Sequence, residues 1–198
     1  MNSDEKTMLP EAEENISQKQ IKKVKNAEKH VKNYQFFILR LLILILVLWV
    51  LFFKVIGLTH MPTGDMFPRI DLGDFVTYYR LDKDVSKQDV VVLDKQTPDS
   101  QGKKQMYICR VVAIEGDTVE ITEEGQLLVN GTAMIERNIY SLTLPYEGYT
   151  KYPLTLGEGE CFVLADQRDG ASDSRYFGVV QKSDLIGTVI AIVRRNNL

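Results

Sequence analysis

Cysteine and histidine are scarce in this sequence of 198 residues, which holds Cys109, Cys161, His30 and His60 and no others. Two cysteines cannot build a disulfide framework and leave room for a single bridge at most. None of the four falls at a ligand-type spacing, so no metal site is expected, and no cofactor. A Cys/His nucleophile pair has only His60 to draw on, since His30 lies on the far side of a long apolar run. Basic charge is also lacking where a nucleic-acid surface would need it. Residues 59–198 carry fifteen Lys and Arg against twenty-one Asp and Glu, which excludes nucleic acid as a partner. No helical periodicity of any length follows residue 58.

The positive charge sits at the other end, where residues 1–58 carry nine Lys and Arg against six Asp and Glu. Residues 1–15 are polar and acidic and read as disordered. Residues 16–33 hold six lysines and one glutamate. They read either as a solvated basic flank or as a basic amphipathic helix, with Ile16, Ile21, Val24 and Ala27 on one side. Residues 1–35 together are expected to be a cytoplasmic disordered and basic tail. Residues 36–58 are apolar apart from Arg40 and Lys54, and are long enough to cross a lipid bilayer as a helix. The lysines crowd its N-terminal side, so the positive-inside rule puts the N-terminus in the cytoplasm and residues 59–198 outside the cell membrane. The run is too long for a signal-peptide core and lacks a small-x-small site after it, so it reads as an uncleaved single-pass anchor.

Residues 59–198 read as strands. "DFVTYY", "DVVVLD", "QMYICRVVAI", "DTVEI", "QLLVN", "CFVLAD" and "LIGTVIAIVRR" are short and rich in Val, Ile, Tyr and Phe. Turn chemistry separates them, most strongly Asn130-Gly131, a hairpin signal. The fold class is mainly β, an antiparallel sandwich or open barrel on an N-terminal transmembrane helix. Residues 138–160, with four tyrosines, two prolines and three glycines, read as a long loop with one extra strand.

Three segments carry the chemistry. Pro62-Thr63-Gly64-Asp65-Met66-Phe67-Pro68 is a rigid turn. Its prolines fix the backbone, and Gly64 is expected to take a conformation closed to other residues, so that Asp65 is presented at a defined place. The second segment is Cys109-Arg110-Val111 running to Gly116-Asp117, and the third is "ADQRDGASDSRYFG", residues 165–178. In this order behind an apolar anchor, the three resemble the type I signal peptidase family, the anchored peptidases that cut signal peptides from secreted proteins. By that resemblance the nucleophilic serine falls on Asp65, its lysine general base on Cys109, and the serine that orients the lysine on Ala171. Ser172 stands one place out of register. Thr63 matches the hydroxyl that helps the oxyanion hole. The residues that shape the family's fold are kept, namely Met66, Pro68, Arg110, Gly116, Asp117, Arg168, Asp173 and Arg175.

The departures bear on chemistry. A Ser/Lys dyad needs a hydroxyl to attack and a desolvated neutral amine to take its proton. Asp65 has no hydroxyl, and its charge would oppose the oxyanion beside Thr63. Cys109 offers a thiol where an amine base is required. The resemblance therefore implies a pseudoenzyme, similar to the signal-peptidase-like proteins of Gram-positive pilus loci. Those lack the Ser/Lys pair and act beside a class C sortase as chaperones of pilin polymerisation. Pilin subunits or a class C sortase are then the expected partners, with the lipid bilayer. The expected peptide cleft is Thr63, Gly64, Asp65, Met66 and Cys109, holding an extended segment by strand addition. Asp65 is then a vestige, or pairs with Arg110 or with a partner's lysine. The alternatives are an active signal peptidase with an unusual site, a regulator of another signal peptidase or sortase, and an interaction module working through the tyrosine-rich loop.

Overall fold

A computed structural model describes residues 5–137 and 139–194, with the side chains of residues 5–21, 24, 27 and 28 outside that description. The chain forms two units, Met1–Val50 and Leu51–Leu198. The first is one helix, α1 (Glu5–Val50). Disorder expected over residues 1–15 is thus corrected from Glu5 onward. The segment has four glutamates with Ala12, Leu9 and Met8, all strong helix formers, and it extends an existing helix without a new nucleation step. The side chains of Ile16, Ile21, Val24 and Ala27, on which the amphipathic reading rests, lie outside the described residues. Lys29–Val55, 27 residues holding an 18-residue window of mean hydropathy 3.0, is long and apolar enough to cross a membrane, and none of the residues in that window is buried inside the protein. At ~1.5 Å per residue it exceeds the ~30 Å hydrocarbon core, and its full exposure fits a membrane anchor rather than the core helix of a soluble domain.

The second unit opens with a π-helical turn, Leu51–Val55, and then a strand, β1 (Ile56–His60). A helix expected to reach Leu58 therefore stops at Val55. Gly57 explains the change, being a poor helix residue whose missing side chain makes room for a neighbour. A Cβ there would sit 2.1 Å from the ring of Tyr78.

The remaining strands are β2 (Phe75–Tyr79), β3 (Val90–Gln96), β4 (Lys104–Ala113), β5 (Thr118–Ile121), β6 (Leu127–Val129), β7 (Thr132–Ala133), β8 (Leu154–Thr155), β9 (Glu160–Leu164), β10 (Val180–Gln181) and β11 (Leu185–Val193). A seven-stranded sheet runs β1-β2-β11-β3-β4-β9-β10 and a four-stranded sheet β7-β6-β5-β8. Every pairing is antiparallel. The fold is therefore mainly antiparallel β with an N-terminal apolar helix. Asn130 and Gly131 turn β6 into β7 with φ of 54° and 74°, the double left-handed turn that this residue pair favours. A four-residue helix, α2 (Ser174–Phe177), is capped by Asp173.

Alternation along β4 sets what each face can do. Cys109 and Val111 pack with Val91, Leu93, Cys161 and Val163. Ile108 packs with Met61, Met66, Ile70, Val76 and Val92. Val112 and Ala113 join Phe162, Leu164 and the inner residues of β5 and β6. Fully buried aliphatic side chains of this kind contribute about 1.5–3 kcal/mol each.

Candidate functional site

The turn after β1 is nailed down at both ends. Met61 N–H donates to the Asp74 carbonyl at 2.8 Å and Gly73 N–H to the Met61 carbonyl at 2.9 Å. Met66 and Ile70 are fully buried beneath it. The Asp65 carbonyl accepts from Gln167 N–H at 2.8 Å, which ties this turn to the third sequence segment. Gly64 differs from expectation. Its φ lies outside the left-handed region, and a Cβ placed on it meets nothing within 4 Å. Local bonding makes the bend instead, through Phe67 N–H to the Gly64 carbonyl at 3.0 Å and Ile70 N–H to the Met66 carbonyl at 2.9 Å. The missing side chain at Gly64 leaves open space above the turn.

That turn faces the outer half of β4. A cavity of 330 Å³ is lined by Pro62, Thr63 and Asp65 from the turn, by Gln105 to Ile108 from β4, and by Met61 and Ser172. A second cavity, of 440 Å³, shares Gln105, Tyr107 and Ser172 with the first and continues to Tyr146, Ala171 and Tyr176. The two form a continuous cleft. Backbone groups also point into the region. β3 pairs with β4 along Lys104–Arg110, whereas β9 pairs only with Arg110, Val111 and Ala113. The second edge of residues 104–109 therefore has no strand partner among the described residues, and can take an added strand.

Asp65 sits half-buried in the wall of this cleft. Burial raises its pKa above 3.8, a hydrogen bond from the Thr63 hydroxyl pulls it back, and the neighbouring Asp173 carboxylate raises it further. Cys109 and Met66 are corrected as cleft residues. Cys109 is 1% exposed and Met66 0%, and neither lines the cavities. The reason is depth along the strand: Cys109 shares its face of β4 with Gln105 and Tyr107 but lies further in, within the core formed with Val91 and Val163, while Met66 anchors the turn from below. Burial holds the Cys109 thiol well above 9, helped by the carboxylates of Asp173, Asp65 and Asp166 and opposed by Arg175. It is a protonated thiol at neutral pH. Cys109 and Cys161 are not bridged to each other.

Ala171 is buried, and its carbonyl accepts from the Tyr146 hydroxyl at 2.9 Å. The charged shape-keeping residues are held in ion pairs. Arg110 grips Asp166 through Nε at 2.7 Å and Nη2 at 2.6 Å, and donates to the Gln88 carbonyl at 2.9 Å. Arg175 donates to Asp173 through its backbone N–H, Nε and Nη2, at 3.0, 2.9 and 2.9 Å. Arg168 donates to the Ala165 carbonyl at 2.7 Å and reaches Thr143 and Glu136. Asp117 accepts from Ile114 N–H, Lys87 and Asn130, and Gly116 before it has φ 81°. Pro68 lies at a separate cavity with Arg69 and Arg110.

Sequence reasoning missed Gln105, Tyr107, Ser172 and Tyr146 as cleft residues, and Asp166 as the partner of Arg110. Tyr107 and Gln105 could have been found by stepping back in twos from Cys109 along a strand. Tyr146 reaches the cleft from a long loop, which carries no such signal. Among the described residues no group of three or more His, Cys, Asp or Glu is placed to hold a metal.

Comparison with known proteins places this geometry. Residues 31–194 match the family described as "Signal peptidase, peptidase S26". The chain is 33% identical over 132 residues to the probable thylakoidal processing peptidase 2, chloroplastic, of Arabidopsis thaliana, covering 64% of this chain and 35% of that protein. It is 26% identical over 182 residues to signal peptidase I of Pseudomonas aeruginosa, covering 67% of this chain and 63% of that one. A solved signal peptidase I from Enterococcus faecalis V583 is 27% identical, with a TM-score of 0.40 over 54% of this chain and 97% of that chain. The match thus spans 35% and 63% of the length of the two curated relatives. With the family match running over most of its length, the chain belongs to the peptidase S26 signal peptidase family.

Proposed function

We propose that this protein is a non-catalytic member of its family, a membrane-anchored factor that holds an extended segment of another protein without cutting it. One observation carries the reading. The cleft has a strand edge at residues 104–109 without a partner among the described residues, while the nucleophile position bears a carboxylate and the base position a sealed, protonated thiol. A carboxylate attacking an amide would form a strained anhydride, and a neutral buried thiol cannot take a proton from anything. General-base assistance alone is worth ~100-fold or more, so losing nucleophile and base together removes the family's chemistry.

The resemblance to the inactive proteins of pilus loci supplies the finer proposal. The protein assists sortase-dependent pilus polymerisation by binding a pilin or a class C sortase, with its N-terminus cytoplasmic and residues 59–198 outside the cell membrane. The test is genetic, at matched protein level in the native host. Deletion is expected to abolish the detergent-resistant pilin ladder of the cell wall. Cys109→Ala should restore it, and Ser172→Trp, which sets an indole into the wall that both cavities share, should not. A ladder intact after deletion would end the pilus reading. Failure of Cys109→Ala would reopen a chemical role for that thiol.

A further inference from the structure

The carboxylates around the cleft are not equivalent. Asp166 is held by the Arg110 guanidinium through two hydrogen bonds, so the pairing of Asp65 with Arg110 considered from the sequence does not form. Asp173 is held by Arg175. Asp65 has no Lys or Arg partner among the described residues, and the bond from Thr63 leaves acceptor capacity facing the cavity. It is the one carboxylate in a recess whose other walls mix apolar Met61, Pro62, Met106 and Ile108 with polar Thr63, Gln105 and Ser172, and with Tyr107 beside. Such a recess suits a cation on an aliphatic stem: the methylenes cover apolar surface while the charged tip meets its counter-ion. A cation next to Tyr107 has an aromatic neighbour as well.

We propose that the Asp65 recess recognises a lysine side chain carried by the extended segment that lies along the free edge of β4. The proposal rests on the peptide-holding reading of the cleft given above, and it turns the residue in the serine's place from a vestige into a specificity determinant. Lysine is favoured over arginine because an ammonium is a point charge that needs one carboxylate oxygen. A guanidinium is best matched by both, and Thr63 already engages this carboxylate. Burial raises the proton affinity of Asp65 by disfavouring charge and so costs an incoming ammonium as well, whereas the Asp173 carboxylate adds negative potential that favours any cation there. Open space above Gly64 allows the bound backbone to approach the turn closely.

The test uses the full chain in detergent micelles and four fluorescent heptapeptides of alternating Ala and Val. These carry Lys, Nε-acetyl-Lys, Arg or Leu at the centre, and binding is read by anisotropy. The Lys peptide is expected to bind about threefold to tenfold tighter than the acetyl-Lys and Leu peptides, the range a close but only half-buried charged pair gives. Asp65→Asn should bring the Lys peptide down to the level of its acetylated form, and Asp65→Glu should keep a preference for Lys. The comparison of peptides on the native chain stands even if a variant folds poorly. Equal affinity for all four peptides, lost in Ser172→Trp, would overturn the lysine assignment and leave the cleft reading standing. A preference for Arg over Lys would also overturn it. No binding of any peptide at millimolar concentration would bring down both.

Discussion

Replacing Asp173 by alanine takes the counter-ion from Arg175, whose side chain is 1% exposed, and removes three hydrogen bonds from that arginine and one from Ala165 N–H. Breaking a buried ion pair by deleting one partner costs about 3–5 kcal/mol, because the other charge is left without compensation. Arg175 keeps the carbonyls of Leu144 and Arg168 and the face of the Tyr146 ring, 4.6 Å away, so the lower end of that range applies. For a domain of this size ~3 kcal/mol corresponds to a fall of roughly 6–12 °C in Tm. Thermal melts of the full chain in detergent, followed by the near-ultraviolet circular dichroism of its tyrosines, read that fall directly. Asp173→Leu with Arg175→Met removes both charges and should recover much of the loss, since an apolar replacement of a buried pair is close to neutral. A single variant within about 2 °C of the native protein would refute the reasoning. So would a double variant as unstable as the two single losses combined. The consequence reaches function, because Asp173 anchors the segment that carries Ala171 and Ser172 in the cleft wall.

Asp65→Asn should stabilise the protein at neutral pH. Folding raises the pKa of this acid, so the folded state holds its proton more tightly than the unfolded chain does. The resulting penalty is fully present above the raised value and gone below 3.8, so the Tm advantage of the variant should fade as pH falls through that window. An advantage independent of pH would contradict the assignment. Both thiols should resist iodoacetamide at pH 8 in the folded protein and react once denaturant is added, as intact mass would record, because burial pushes Cys161 up to about 12 and Cys109 well above 9. Fast labelling of Cys109 in the folded state would show a reactive nucleophile where none is expected. Asp65→Ser with Cys109→Lys should cleave a fluorogenic signal peptide at least ~100-fold more slowly than the Pseudomonas aeruginosa relative, because Ala171 leaves the new lysine unoriented. Strong turnover by that double variant would show that Ala171 is no obstacle.

Much of the fold was legible because its signals are local. Runs such as Val90-Val91-Val92-Leu93 and the Asn130-Gly131 turn need no tertiary context, and both lie where the sequence places them. β1 was hidden because its apolar residues merge with those of the anchor, and only the close approach of Tyr78 to Gly57 separates them. β7, β8 and β10 are two residues long, too short for a period to show. At the site, contiguous motifs gave Asp65, Thr63 and the Asp173–Arg175 pair by position. Burial did not follow from motif position: Cys109 and Met66 lie in the core, and β4 lines the cleft with Gln105, Met106, Tyr107 and Ile108 instead. The partner of Arg110 was also beyond reach, since Asp166 is 56 residues away in the chain.

The central claim is that this family member binds a peptide and leaves it whole. The direct measurement is to incubate the full chain in detergent with a labelled precursor peptide bearing an Ala-x-Ala cleavage site, following anisotropy and intact mass in the same sample. Saturable binding with the peptide mass unchanged after overnight incubation is the predicted result. Two fragments summing to the precursor plus water, formed by the native chain and lost with Asp65→Ala or Ser172→Ala, would show a working peptidase and contradict the account.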